Sequence, residues 1–448
     1  MKKSKQVRPI ATSFSVRTAV LLGILILLVA WQVPKWQTSN VGPSNKDQAD
    51  VENAYRQTIL QAIGGLFFLA TAYLSWKNLQ ISEDKQITER FSKAVEMLGN
   101  EDLIEVRLGG IYILSRIAKD SPEDHWTVME VLTAFIRERS ASQRLKAEDA
   151  ADPSQEPASV TTDIQAAINV VGERNVSNDP RGRRLDLTEA NLAGANLSNT
   201  DFTGAKLTGA NLSNIDFTGA KLNNADLHVV NLRNTNLTGA GLNNANLCFA
   251  NLRNTNLTGA ELNNADLCFA DLDKVVIDEK TQLDAKWRLV WRVVNERVTG
   301  ANLGNEDLSC ANLTGVNLSN ANLGYANLSK AILDSANLTE ANLSGANLVD
   351  TDLRRSNLTE VILNGADLTE ADLQNAILCK AALSGANLTF ASLDGANLNK
   401  ADFSGATLKW TSFSNAKNWT DEQLDTAKLC KTQLPEGSNL DPDRDCSK

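Results

Sequence analysis

Hydrophobic residues fall on every fifth position over almost half of this chain. The beat reads Ala-(Asn/Asp)-Leu-x-x, with leucine or a substitute at 187, 192, 197 and onward to Ile277, and again from Leu303 to Phe413, 42 units in all. Five is the period of neither common element. On a helix each unit would carry the leucine about 140° further round, so no apolar stripe forms. On a straight strand, alternate leucines would point to opposite faces. The beat is satisfied if the chain turns a corner once per unit, so that Ala at i−2 and Leu at i share the inside and i+1 and i+2 make the turn. That predicts an all-β solenoid. Residues 231–250 recur as 251–270, changed only at Gly241/Glu261 and Asn246/Asp266. The duplication spans four units, so one coil has four sides. Stacked at about 4.8 Å, some ten coils would form a rod about 50 Å long.

Elsewhere the pattern changes period. The uncharged run Thr18–Val33 follows a basic stretch (Lys2, Lys3, Lys5, Arg8, Arg17), and a second apolar run covers Ile59–Trp76. Both have the length and the flanking aromatics of membrane spans. They predict transmembrane helices over 16–34 and 58–77, a cytoplasmic basic N-terminus over 1–15 and a short outer loop over 35–57. Lys77, Lys85, Arg90 and Lys93 then place both termini in the cytoplasm of the cell. A cleavable signal peptide competes for the first run, though no small-x-small site follows it cleanly. A buried helix competes for the second. Helical stripes at Ile87/Phe91/Val95/Leu98, Ile104/Leu108/Ile111/Leu114 and Trp126/Met129/Leu132/Ile136 predict a helical module over 81–139. Residues 140–160 read as a polar linker. Thr162–Gln165 has the form of a capping box and opens an N-terminal cap, 161–184. The β-helix occupies 185–279 and 300–415, with a C-terminal cap and tail over 416–448 that open on a second capping box at Thr420–Gln423. Between the halves, 280–299 departs from the beat. Leu283, Trp287, Val290, Trp291 and Val294 form one helical stripe, with Lys286, Arg288, Arg292 and Arg297 around it.

On the strength of its 42 units the tract resembles the pentapeptide-repeat family, which implies a right-handed quadrilateral parallel β-helix. Preceded by two transmembrane helices and a small α-helical module, the chain is similar to membrane-anchored members from bacteria, photosynthetic ones especially. The segments RFSKAVEMLGN, VRLGGIYILSRIAKDS and HWTVMEVLTAFIRE carry that second likeness, and it brings no assigned activity.

Net charge narrows the partners. The chain carries −10 overall, and 185–415 holds 25 acidic against 16 basic residues, which leaves little for binding phosphates, so direct nucleic-acid binding is not expected. Some family members resemble DNA and inhibit gyrase, so an acidic DNA-mimic regulator of a DNA-binding enzyme such as gyrase stands as the alternative function. Chemistry is sparse. The two histidines, His125 and His228, lie far apart in sequence, and no HExxH, GxSxG or phosphate-loop motif occurs. No catalytic residue, cofactor or metal ligand is assigned. Cys248 and Cys268 should stack on adjacent coils, and Cys310 and Cys379 take outward or corner positions. Cys430 and Cys446 would bridge only if the body were extracytoplasmic. The candidate interaction residues are Phe249 and Phe269, an outward stack, and Trp287 and Trp291 on the insertion helix. For each pair, packing against the rod competes with partner contact. The function expected is a non-enzymatic scaffold, anchored to the lipid bilayer through 16–34 and 58–77, that presents a cytoplasmic rod to an unidentified protein partner.

Overall fold

The computed structural model describes residues 45–150 and 160–446, apart from the side chains of 45–48 and 143–150, together with Leu25, Ile26, Leu28, Trp31, Gln32 and Trp36. Most of the expected first span and half of the expected linker lie outside these residues. The chain divides into two compact units at Arg90/Phe91.

That division falls inside one long helix, α1 (Asn45–Leu98). Among the described residues it is the helix long and apolar enough to cross a membrane. The structure differs here from the sequence expectation. The outer half of the loop expected at 35–57 is already helical from Asn45, and the second span continues into the module's first helix without a stop. The physical reason is in 77–90 (KNLQISEDKQITER), which has no Gly or Pro and is rich in good helix formers. Within the first unit the Arg56 guanidinium sits 4.7 Å from the centre of the Trp31 ring.

The second unit begins with α2 (Ile104–Asp120), α3 (His125–Ala150) and α4 (Thr162–Gly172). The expected linker is therefore helical as far as Ala150. The core of the bundle is Ile111, Leu114, Met129, Leu132, Ile136, Ile164 and Ile168, all sealed from solvent. Polar pairs fix the helices. Arg107 Nε donates to the fully buried Asp163 carboxylate at 2.6 Å. His125 lies between the Ala118 carbonyl (3.2 Å) and Asp179 (3.1 Å), and Arg174 holds Asp179 from the other side at 2.8 Å. The capping box expected at Thr162–Gln165 does not form. Thr161 is the cap residue, its hydroxyl is turned to Asp163, and Gln165 instead donates to the Asn196 carbonyl at 2.8 Å and accepts the Asn196 N–H at 3.0 Å. Thus α4 docks on the first coil. A Cβ on Gly172 would stand 2.7 Å from Thr200, so only glycine permits this approach.

From Leu185 onward the chain is a right-handed β-helix solenoid. Each side contributes a single parallel bridge to the residue 20 positions later, from Asp186↔Lys206 to Asn397↔Lys417. The leucines and alanines of the beat point inward and are almost wholly sealed. Each corner is a β-turn, closed for example by Ala190 N–H to the Leu187 carbonyl at 3.1 Å, with Glu189 at φ 59°. A positive φ at the third position defines a type II turn. Threonine in the alanine column keeps its hydroxyl satisfied. Thr235 donates to the Leu212 carbonyl and Thr255 to that of Leu232, each at 2.7 Å. Edge-to-face phenylalanines lie near both ends, Phe202/Phe217 and Phe403/Phe413. The C-terminal cap is α6 (Asp421–Leu424), where the Thr420–Gln423 capping box does form, Thr420 N–H donating to Gln423 at 2.7 Å. Here β3 (Thr407–Lys409) pairs with β4 (Lys428–Cys430).

Candidate interaction surface

Of the four expected contact residues, the structure buries Trp287 and half-buries Trp291. The insertion opens with a strand, β2 (Gln282–Leu283), paired in parallel with β1 (Glu261–Leu262) at an offset of 21, and continues as α5 (Ala285–Asn295). Trp287, Val290 and Val293 are buried on the inner face of α5. Trp287 is only 6% exposed. The Trp291 indole N–H donates to the Val275 carbonyl at 2.7 Å. In a regular coil that carbonyl serves the next coil, as Ala190 does for Asn211 N–H at 2.9 Å. Thus α5 stands in for part of a coil, and Trp287 and Trp291 are spent on that substitution. Beside α5 a polar cleft of about 690 Å³ opens between Arg253, Asp273, Glu296, Arg297, Asn312 and Thr314, with Arg253 and Asp273 paired at 2.7 Å.

Phe249 and Phe269 behave differently. Their rings stack with centroids 4.6 Å apart, His228 meets Phe249 edge-on at 5.6 Å, and Phe249 stays 51% exposed. Both occupy the i+2 corner, at φ 58° and 59°. Following corner N–H groups to the next coil's carbonyl traces one unbroken edge. Val229 is followed by Phe249, Phe269, Cys310, Lys330, Asp350, Glu370, Phe390 and Trp410. The step from Phe269 N–H to the Cys310 carbonyl, 2.8 Å, runs straight past the insertion. The same edge therefore carries a second aromatic pair that sequence reasoning missed. Phe390 and Trp410 stack at 6.0 Å, and the Lys431 ammonium lies 4.2 Å from the Trp410 ring. Phe390 is 55% and Trp410 49% exposed. Five coil steps separate the pairs, about 24 Å. The signal was available, since 249/269 and 390/410 share both the corner position and the spacing of 20.

Cysteine chemistry gathers beside the first pair. Cys248 and Cys268 are free thiols, half-buried, on adjacent coils. Burial and the neighbouring Asp266 push the Cys248 thiol up to about 12, and the same two causes, with Cys310 added, raise Cys268. Asp266 is held below the usual carboxylate range: burial works against this, but hydrogen bonds from Cys248 and from the Cys268 N–H and thiol, with Lys286 nearby, prevail. At the far end Cys430 and Cys446 form a disulfide.

With the geometry in view, the family comparison agrees with the repeat. The family model for pentapeptide repeats matches in eight copies, over residues 186–224, 210–247, 240–277, 299–334, 336–375 and 376–417. The chain belongs to the pentapeptide-repeat family. Among solved structures it is similar to HetL, a pentapeptide repeat protein involved in heterocyst differentiation regulation from the cyanobacterium Nostoc sp. strain PCC 7120, at 28% identity over 57% of this chain and 94% of that one, with a TM-score of 0.15. It is also similar to Rfr23 from the cyanobacterium Cyanothece 51142 at 38% identity, over 23% of this chain and 67% of that one (TM-score 0.16). A third is QnrB1, a plasmid-mediated fluoroquinolone resistance protein, at 16% identity over 52% and 76% (TM-score 0.17). A search of curated proteins returned no match.

Proposed function

We propose that this chain is a non-enzymatic, membrane-anchored scaffold that binds a protein partner along the aromatic corner edge of its β-helix. The observation that carries the reading is where the bulky residues sit. A left-handed corner suits Gly or Asn, and Val229, Phe249, Phe269, Phe390 and Trp410 adopt it at φ 56–62°. Each L-residue with a Cβ costs about 1 kcal/mol there, and a β-branched valine is a true outlier. Core packing does not repay this, because Val229, Phe249, Phe390 and Trp410 point to solvent. Left-handed corners recur along the whole rod, at Lys274 and Glu340 among others, so what marks a contact surface is the pairing of stacked, exposed aromatics on one edge.

Anchoring rests on α1 and on the apolar run before it. Two spans, 16–34 and 58–77, with both termini in the cytoplasm, follow from the flanking charges, and the contact of Arg56 with Trp31 is consistent with a hairpin. The Cys430–Cys446 bridge opposes that orientation, because disulfides belong to oxidising compartments. The flanking charges carry the proposal, and Cys248 and Cys268 stand as free thiols.

The test replaces Phe249, Phe269, Phe390 and Trp410 by Asn in the full-length protein. The rod should fold with unchanged far-UV circular dichroism, while a protein crosslinked to the wild type in native membranes should no longer be captured. Retained crosslinking would remove the edge from the interface, and dose-dependent inhibition of gyrase supercoiling by the wild type would replace the scaffold with the DNA-mimic reading.

A further inference from the structure

Two adjacent coils bring soft and hard ligand atoms together at one spot, with Cys310 on the coil beyond. Asn246 bridges to Asp266, Phe249 N–H reaches the Cys268 carbonyl at 2.9 Å, and Phe269 N–H reaches the Cys310 carbonyl at 2.8 Å. The bridge spans 20 residues, and the step from Phe269 to Cys310 spans 41. The Cys248 sulfur, the Cys268 sulfur and an Asp266 carboxylate oxygen all lie within 4.8 Å of one another. Cys310, on the next coil, is among the groups that raise the Cys268 thiol. Each backbone is pinned locally, Cys268 N–H donating to Asp266 at 3.1 Å and Cys248 N–H to Asn246 at 3.2 Å.

We propose that Cys248, Cys268 and Asp266 form a three-donor binding site for one thiophilic divalent cation of the zinc class. Two cysteine sulfurs, deprotonated as the metal binds, and a carboxylate oxygen are donor types that zinc takes, and a site with three protein ligands leaves its fourth position open. The parallel ladder supplies the spacing that a Cys-x-x-Cys turn supplies elsewhere, which is why no linear motif announces it. The internal duplication points the same way. Its two copies differ at only two positions, and one of them turns Asn246 into Asp266 beside the thiols. Cys430, Asp443 and Cys446 make a comparable trio, but there the sulfurs are already bonded to each other.

The test is zinc titration of the full-length protein in detergent under mild reductant, against a chromophoric chelator, with cobalt substitution as a second readout. The expected result is one equivalent of zinc, and a cobalt complex with thiolate-to-cobalt absorption in the near ultraviolet. Cys268→Ser should weaken binding by about 100-fold or more, the scale that even lesser perturbations of metal sites reach. Asp266→Asn, which copies the residue already tolerated at 246, should weaken zinc while leaving the fold intact, so loss of binding cannot be ascribed to unfolding. Cys430→Ser with Cys446→Ser, and Cys379→Ser, should bind as wild type. The proposal fails if the reduced protein takes up no stoichiometric zinc, if binding follows Cys430 and Cys446, or if Cys248 and Cys268 are recovered as a disulfide.

Discussion

Arg107 and Asp163 meet at 2.6 Å across 56 residues of sequence, both side chains shut away from water, and they lock the helical module to the cap of the β-helix. Arg139 approaches the same carboxylate at 3.7 Å. Removing one partner strands a buried charge, so Arg107→Met should destabilise by about 3–5 kcal/mol, whereas Arg107→Met with Asp163→Leu should recover most of that. A double-mutant cycle in urea measures it. If the single and double variants unfold alike, the pair does not hold the cap.

The same pair sets an acid limit. Burial alone would raise the Asp163 carboxyl, but Thr161, Arg107 and the Ile164 N–H hold it below the usual carboxylate range. A group with a depressed folded value stabilises the fold above its unfolded value and loses that contribution as pH falls toward the depressed one. The cap should therefore loosen below about pH 4, and Arg107→Met should flatten that dependence. Hydrogen exchange of α4 amides between pH 3 and pH 6 reports it.

At the insertion, Trp287→Ala should cost about 3–5 kcal/mol by opening a cavity in the core. Trp291→Phe, which removes the hydrogen bond to Val275 and part of the ring, should cost at least about 1 kcal/mol. Neither should reduce partner crosslinking at a temperature where the rod stays folded. Loss of crosslinking at full stability would return these tryptophans to the interface.

Corner strain predicts an unusual sign. Val229→Gly should stabilise the rod by about 1 kcal/mol, because glycine takes φ 56° without penalty. Chemical denaturation monitored on the β-helix signal decides it, and a destabilised variant would mean that Val229 makes a packing contribution its exposure conceals.

The C-terminal bridge and the cytoplasmic orientation make opposite demands. Acid-quenched alkylation in intact cells separates them: free Cys430 and Cys446 would keep the rod in the cytoplasm, and a quantitative disulfide would put it on the outer side of the membrane.

The β-helix was legible because each unit repeats its own evidence: Leu187 and Ala190 mean little alone, yet 42 copies leave one geometry. What escaped depended on register across the insertion. That Phe269 is followed by Cys310 follows only once α5 is known to replace part of a coil, and both the continuous edge and the third cysteine hang on that step. The missed capping box at Thr162–Gln165 has a tertiary cause, because Arg107 claims Asp163 and Asn196 claims Gln165. The break expected between the second span and the module never formed, since nothing in 77–90 stops a helix.

Proximity labelling from the C-terminus in native membranes, comparing wild type with the variant carrying Asn at 249, 269, 390 and 410, bears most directly on the scaffold. The wild type should label a defined protein neighbour, and the variant, equally abundant and equally membrane-bound, should not. Identical labelling by the two would contradict partner binding along this edge.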